Sequence, residues 1–333
     1  MNSIMSSRKR VLEVLFHRIP DRVPCYEVLI DPPMVEYILG IKDKNSSMLT
    51  PREIVDLYCR LGLDAVIAGL RFFRPTDQIA GGRPDPATRI PPSVAQQEAY
   101  LERCAKIAEY AHAEGMAAAA YNHGTLDVVY ESMGFENFMY ALYDDLPYVE
   151  ELTQRLFDHH YRNTKLALET GIDFMLIGDD LAYKTGPFFA PDMFLHLWKE
   201  KEAAMIKLPK DAGMPCEFHT DGKFDFAIPY LIEMGVDLIN PVEPDSNDIY
   251  ELKRIWGDRI GFRGNMDIGG SLSSGTPDDV YREAGEMITR LKPGGNYVCS
   301  TSHSISRAVI PENYLALLRA VRDYGGYDTD AKK

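Results

Sequence analysis

The 333-residue chain is poor in cysteine and has no CxxC pair: Cys25, Cys59, Cys104, Cys216 and Cys299 are sparse and odd in number. That excludes a disulfide framework and reads as reduced thiols in a cytoplasmic protein. It also lacks basic excess, with 36 Lys+Arg against 50 Asp+Glu and a formal charge of −14. A nucleic-acid or anionic-lipid partner needs a basic face to displace counterions, so neither is expected. No stretch approaches the roughly 18 uninterrupted apolar residues of a membrane span. The opening MNSIMSSRKRVLEVLFHRIPDR has only a short apolar run before charge and proline return, which reads as a helix and not as a signal peptide. There is no low-complexity linker, no GxGxxG turn after the first apolar run and no DxHxxG corrinoid-binding motif.

What is present is ordinary for a large core, 45% hydrophobic and 26% charged residues, and a recurring pattern. Eight short apolar runs, at 23–30, 64–73, 116–122, 173–180, 215–222, 237–244, 260–267 and 296–305, are bounded by Gly, Pro and Asp as doubly buried strands are. Amphipathic segments lie between them. Thr50-Pro51-Arg52-Glu53 and Thr276-Pro277-Asp278-Asp279 supply helix starts with a capping threonine and proline at the first helical position. Gly62, Gly115, Gly171, Gly213 and Gly235 each stand just before a strand, where a helix ends. Alternation of this kind predicts a parallel sheet, and eight strands in this length predict a (β/α)8 TIM barrel. The expected organisation is one barrel domain over 1–333 with an N-terminal helical extension over about 1–22. The Pro- and Gly-rich stretch from Arg74 to Ser93 reads either as a cover for the barrel mouth or as a solvated loop.

In such a barrel the functional residues stand at the strand C-termini. Those ends carry Glu27 and Asp31, Asn122 and His123, Asp179 and Asp180, Glu217, His219 and Asp221, Asn240 and Glu243, Asn265 and Asp267, Cys299 and His303. Strand N-termini show no comparable concentration in this reading. Carboxylates and imidazoles crowded on one rim must be paired or act as ligands. His219 and Asp221, two residues apart in an extended segment, point to one side and supply half of a zinc site, with Cys299 or His303 as the third ligand. The alternative is a rim histidine held by a neighbouring aspartate without metal. Of Asp179 and Asp180 only one can face inward, and the other caps a helix or binds loop amides. Glu243, in a dry apolar setting, reads as a general base with a raised pKa or as a residue that orients a ligand.

Three segments, Phe218-His219-Thr220-Asp221-Gly222, Leu231–Asp237 and Gly264-Asn265-Met266-Asp267, resemble the uroporphyrinogen decarboxylase superfamily. So does the ending Lys292–Val298, Ser302-His303-Ser304-Ile305 and Pro311-Glu312-Asn313, with a weaker likeness at 133–138. The resemblance covers roughly 171–326 and implies a uroporphyrinogen decarboxylase-like (β/α)8 barrel. True decarboxylases of that family carry an arginine-rich RQAGRYLP stretch, whereas the equivalent region here is CYEVLIDPPMVEYILG. Glu27 and Asp31 there are expected to repel a porphyrinogen's carboxylates.

The other branch comprises zinc- and corrinoid-dependent methyltransferases, which bind zinc through an H-x-C motif and a later cysteine. The matching positions are His219, Asp221 and His303, with Cys299 as the alternative, a harder ligand set suited to Lewis-acid work on an oxygen substrate. The resemblance therefore implies a metal-assisted methyltransferase that moves a methyl group between a small methylated substrate and a corrinoid protein. Zinc would lie at His219, Asp221 and His303. His219, Glu243 and Asp179 would be catalytic, and Asn122, Asp180, Asn240, Asn265 and Asp267 would bind substrate. It also suggests a homodimer. The competing readings are a decarboxylase acting on a non-porphyrin substrate and a catalytically inactive binding homologue.

Overall fold

The computed structural model describes residues 5–68 and 94–327. Nine strands follow in chain order: β1 Ala65–Ala68, β2 Ala117–His123, β3 Phe174–Gly178, β4 Ala182–Tyr183, β5 Gly186–Pro187, β6 Cys216–His219, β7 Leu238–Asn240, β8 Gly261–Met266 and β9 Tyr297–Thr301. Seven of them form one parallel sheet in the order β1-β2-β3-β6-β7-β8-β9, and β4 and β5 pair as a small antiparallel hairpin. The α-helices are α1 Ser7–Leu15, α2 Pro32–Leu39, α3 Pro51–Leu61, α4 Val94–Ala113, α5 Asp127–Met133, α6 Phe135–Asp144, α7 Leu146–Ala167, α8 Pro191–Asp211, α9 Ile228–Met234, α10 Ile249–Trp256, α11 Ser271–Ser274, α12 Pro277–Leu291 and α13 Pro311–Tyr324.

Seven of the eight expected strands are in place, shortened because their polar ends belong to loops. The first, 23–30, is extended chain and not a regular strand. It nevertheless occupies the eighth place of a (β/α)8 barrel. Cys299 N–H donates to Pro24 O at 2.9 Å on one side, and Asp64 N–H donates to Cys25 O at 2.7 Å on the other. Parallel bridges join Cys25 to Cys299 and Ile30 to Ile305. The ladder breaks for two local reasons. Pro24 has no N–H to give, and the Cys25 N–H is taken by Asp64 Oδ2 at 2.8 Å. The stretch from Arg74 to Ser93 lies outside the described residues.

Alternate residues of the strands (Ala65, Ile67, Ala117, Ala119, Phe174, Leu176, Leu238, Val298) pack together inside the barrel, with Val11, Val14 and Leu15 of α1 against them. Burying each large side chain here is worth roughly 1.5–3 kcal/mol. The other strand faces pack under the surrounding helices. Capping boxes start α3 at Thr50–Glu53 and α12 at Thr276–Asp279, and Gly62 ends α3 in the left-handed region at φ 73°.

The strand N-termini are not bare, contrary to the sequence reading. Asp64, Asp173 and Asp237 stand there and are paired. Asp64 takes Arg10 (2.7 Å) and Arg22 (2.9 Å), Asp173 takes Arg8 (2.7 Å), and Asp237 takes Lys210 (2.6 Å). These pairs fasten α1 and α8 to the end of the barrel opposite the functional rim.

Candidate metal centre at the barrel mouth

Among the described residues, one set of side chains brings metal-ligand atoms within 4.8 Å of one another: Asp180, His219 and Asp221. His219 ends β6, Asp221 opens the following loop, and Asp180 stands two residues beyond β3. The two neighbouring strand ends are joined by the Asp221 N–H, which donates to Asp180 Oδ1 at 2.9 Å. His219 Nε2 lies 3.8 Å from Asp221 Oδ1. That oxygen is buried without a hydrogen-bond partner.

Electrostatics separate the two carboxyls. Burial, with the like charge of Asp221, pushes Asp180 up to about 6. Burial acts on Asp221 too, but the hydrogen bond from His303 and the charge of His219 outweigh it and hold that carboxyl below its usual range. His303 Nε2 stands 3.4 Å from Asp221 Oδ2, and this contact raises the imidazole's pKa against a smaller opposing effect of burial. One imidazole nitrogen and two carboxylates, one of them with an orphaned buried oxygen, are a donor set that fits zinc or a similar divalent cation.

The third member of the set is Asp180, which was expected to bind substrate, while His303 lies outside the set and meets it through Asp221. The Cys299 alternative fails. Its side chain is fully buried beside Cys25, and it is absent from the set. Three further expectations are corrected. Asp179, expected to be catalytic, is fully buried and accepts from the backbone N–H groups of Thr125 (3.0 Å), Leu126 (3.0 Å) and Asp127 (2.7 Å) and from Trp198 Nε1 (3.1 Å). It is the capping partner of the pair, at the start of α5. Asn122, expected to bind substrate, spends its amide inside the protein. It donates to His160 O (2.8 Å) and Thr164 Oγ1 (2.5 Å) and faces His160 Nδ1 at 3.1 Å. Glu27 is not a surface repeller. It is 1% exposed, accepts from Thr301 N and Oγ1 and from the Tyr314 hydroxyl, and is pushed up to about 7 by burial.

Asn240 has a role beyond the expected one. Its Oδ1 lies 2.8 Å from His219 Nδ1, and its Nδ2 donates to Glu217 Oε1 at 2.6 Å. It holds the histidine while also lining the small pocket beside the cluster. Glu243 Oε2 accepts the Gly222 N–H at 2.7 Å, which fixes the loop carrying Asp221. Asp267 Oδ1 accepts from Gly269 N–H at 2.8 Å, and Asn265 is half-buried at the end of β8. A small pocket next to the cluster is lined by Glu27, His219, Asn240, Arg263, Thr301 and His303, among others.

The sequence reading missed Arg263. It is 2% exposed in the middle of β8, donates from Nε to Glu217 Oε1 at 2.6 Å, and lies 4.8 Å from the Tyr26 ring centroid. The signal was available, since an arginine and a glutamate inside two doubly buried strands must find each other.

The sequence profile described as Uroporphyrinogen decarboxylase (URO-D) matches residues 100–324, more than half of the chain. The chain belongs to that family. A uroporphyrinogen decarboxylase of Nitrosomonas europaea is 36% identical over 74 residues, 22% of this chain and 20% of that protein. The methylated-thiol–coenzyme M methyltransferase of Methanosarcina mazei is 24% identical over 117 residues, 35% of this chain and 30% of that protein. The alignments thus span under a third of the length of these curated relatives. A solved methyltransferase from Methanosarcina mazei superposes with a TM-score of 0.73 over 96% of this chain and 99% of that one, at 17% identity. At that identity the likeness establishes the uroporphyrinogen decarboxylase-type barrel.

Proposed function

We propose that this family member is a methyltransferase that moves a methyl group between a small methylated substrate and a corrinoid carried on a separate protein. A divalent cation, zinc in the first instance, would be held by Asp180, His219 and Asp221. The observation that carries this reading is the buried, partnerless Asp221 Oδ1 facing His219 Nε2 beside a second carboxylate. The partial likeness to a methylated-thiol–coenzyme M methyltransferase supports it. When bound, such a cation polarises the heteroatom that carries the methyl group.

The chain's own residues supply the rest. His219 presents Nε2 because Nδ1 is committed to Asn240. His303 helps keep Asp221 ionised, and Glu243 fixes the adjoining loop through Gly222. Asn265 and Asp267, at and just beyond the end of β8, would contact the substrate. In the transfer the methyl carbon leaves its heteroatom without the bonding pair, and the acceptor supplies a new one. The heteroatom keeps its electrons and takes up a proton. A mouth rich in carboxylates favours a neutral or cationic donor, such as a methylamine or a phenyl methyl ether. The protein reads as cytoplasmic and as a homodimer. No described helix is long and apolar enough to cross a membrane.

Elemental analysis of purified protein, paired with an absorbance assay for methylation of reduced free cobalamin by methylamines and methoxybenzenes, tests this reading. Near-stoichiometric zinc, lost in His219→Ala together with turnover, is expected. Metal-free protein that decarboxylates a pyrrolic acid would establish the decarboxylase alternative, and ligand binding without turnover the inactive homologue.

A further inference from the structure

A buried polar chain runs from the candidate centre into the barrel. His219 Nδ1 meets Asn240 Oδ1 at 2.8 Å, Asn240 Nδ2 donates to Glu217 Oε1 at 2.6 Å, and Arg263 Nε donates to the same oxygen at 2.6 Å. The Tyr26 hydroxyl closes the other side by donating to Glu217 Oε2 at 2.9 Å. Glu217, Asn240 and Arg263 are each no more than 2% exposed. Every link has a fixed sense. The Arg263 guanidinium can only donate, so the Glu217 Oε1 that it meets is an acceptor, and the Tyr26 hydroxyl donates to the other oxygen. As an acceptor it demands the Nδ2 of Asn240, and this turns Oδ1 toward the imidazole. An amide oxygen accepts only, so His219 must carry its proton on Nδ1.

We infer that Asn240, anchored by Glu217, Arg263 and Tyr26, is a positioning residue that locks His219 in the Nδ1–H tautomer and so leaves Nε2 free for a cation. This rests on the cation-site reading above. Buried charges in the floor of the barrel then have a purpose beyond packing. A carboxylate–guanidinium pair is costly to bury and contributes little net stability, but it cannot reverse its polarity. Ligand histidines oriented by such partners lose roughly 10–100-fold in metal affinity when the partner is removed.

The test uses the full chain labelled with [15N]histidine and titrated with Zn2+ against a competing chelator. Wild type must show His219 as the Nδ1–H tautomer by two-dimensional 15N–1H correlation without metal, assigned by its loss in His219→Ala. Asn240→Ala is expected to give a mixture of tautomers and a 10–100-fold weaker Kd for Zn2+, with His219→Ala abolishing binding. An Nε2–H tautomer in wild type overturns the inference without any variant at position 240. An unchanged Kd in folded Asn240→Ala also overturns it but leaves the cation site standing. No specific Zn2+ binding by wild type, with the Nδ1–H tautomer present, defeats the functional reading alone.

Discussion

Asp221 donates its backbone N–H to Asp180 Oδ1 across 2.9 Å, while its own side chain keeps Oδ1 buried and without a partner. One peptide group thus ties together the ends of two strands that supply all three candidate ligands. Two of the candidate ligands therefore help to set the loop, together with Glu243, which holds it through Gly222.

Asp180→Asn should weaken Zn2+ binding by at least the roughly 10–100-fold seen when a ligand's partner is lost. His303→Ala should weaken it less, because His303 acts through Asp221. Competition titration of both variants measures the order. The reverse order would return His303 to the ligand set.

Asp179→Ala is expected to destabilise the fold by roughly 3–5 kcal/mol, since three backbone N–H groups and the Trp198 indole lose their buried acceptor. Urea denaturation followed by circular dichroism checks this. A loss under about 1 kcal/mol would show that water replaces the carboxylate.

Glu27 gives stability a pH dependence. Its folded pKa of about 7 exceeds that of an exposed glutamate, so between about pH 4.5 and 7 the folded state holds a proton that the unfolded state releases. Unfolding free energy should fall as pH rises through that window and level off above it. In Glu27→Gln this contribution is absent, so the variant gains on wild type by roughly 3 kcal/mol from pH 5 to 8. A constant difference between the two proteins across that range would refute the proton-holding role.

Gly222→Ala should be costly. The residue has φ +78°, and a Cβ there would stand 2.2 Å from the Ala182 carbonyl oxygen of β4. A loss of about 2 kcal/mol or more is expected, with weaker Zn2+ binding because Asp221 is its neighbour. Thermal melts and the zinc titration read both effects. A wild-type melting temperature would mean that the β4–β5 hairpin yields freely.

The sequence by itself determined the barrel. Short apolar runs, threonine caps such as Thr50 and Thr276, and glycines such as Gly62 are local signals, and each places an element without knowledge of its neighbours. It also determined that His219 and Asp221 converge at the C-terminal ends of the strands. Tertiary structure alone decided which carboxylate of the Asp179–Asp180 pair turns outward to the Leu126 and Asp127 amides and which turns to Asp221. It alone gave Asn122 to His160, Asn240 to His219 and Arg263 to Glu217, and buried Cys299 against Cys25. Those outcomes depend on register between strands far apart in the chain, since a side chain's partners across a parallel sheet follow from strand order and stagger. Periodicity within a strand fixes neither.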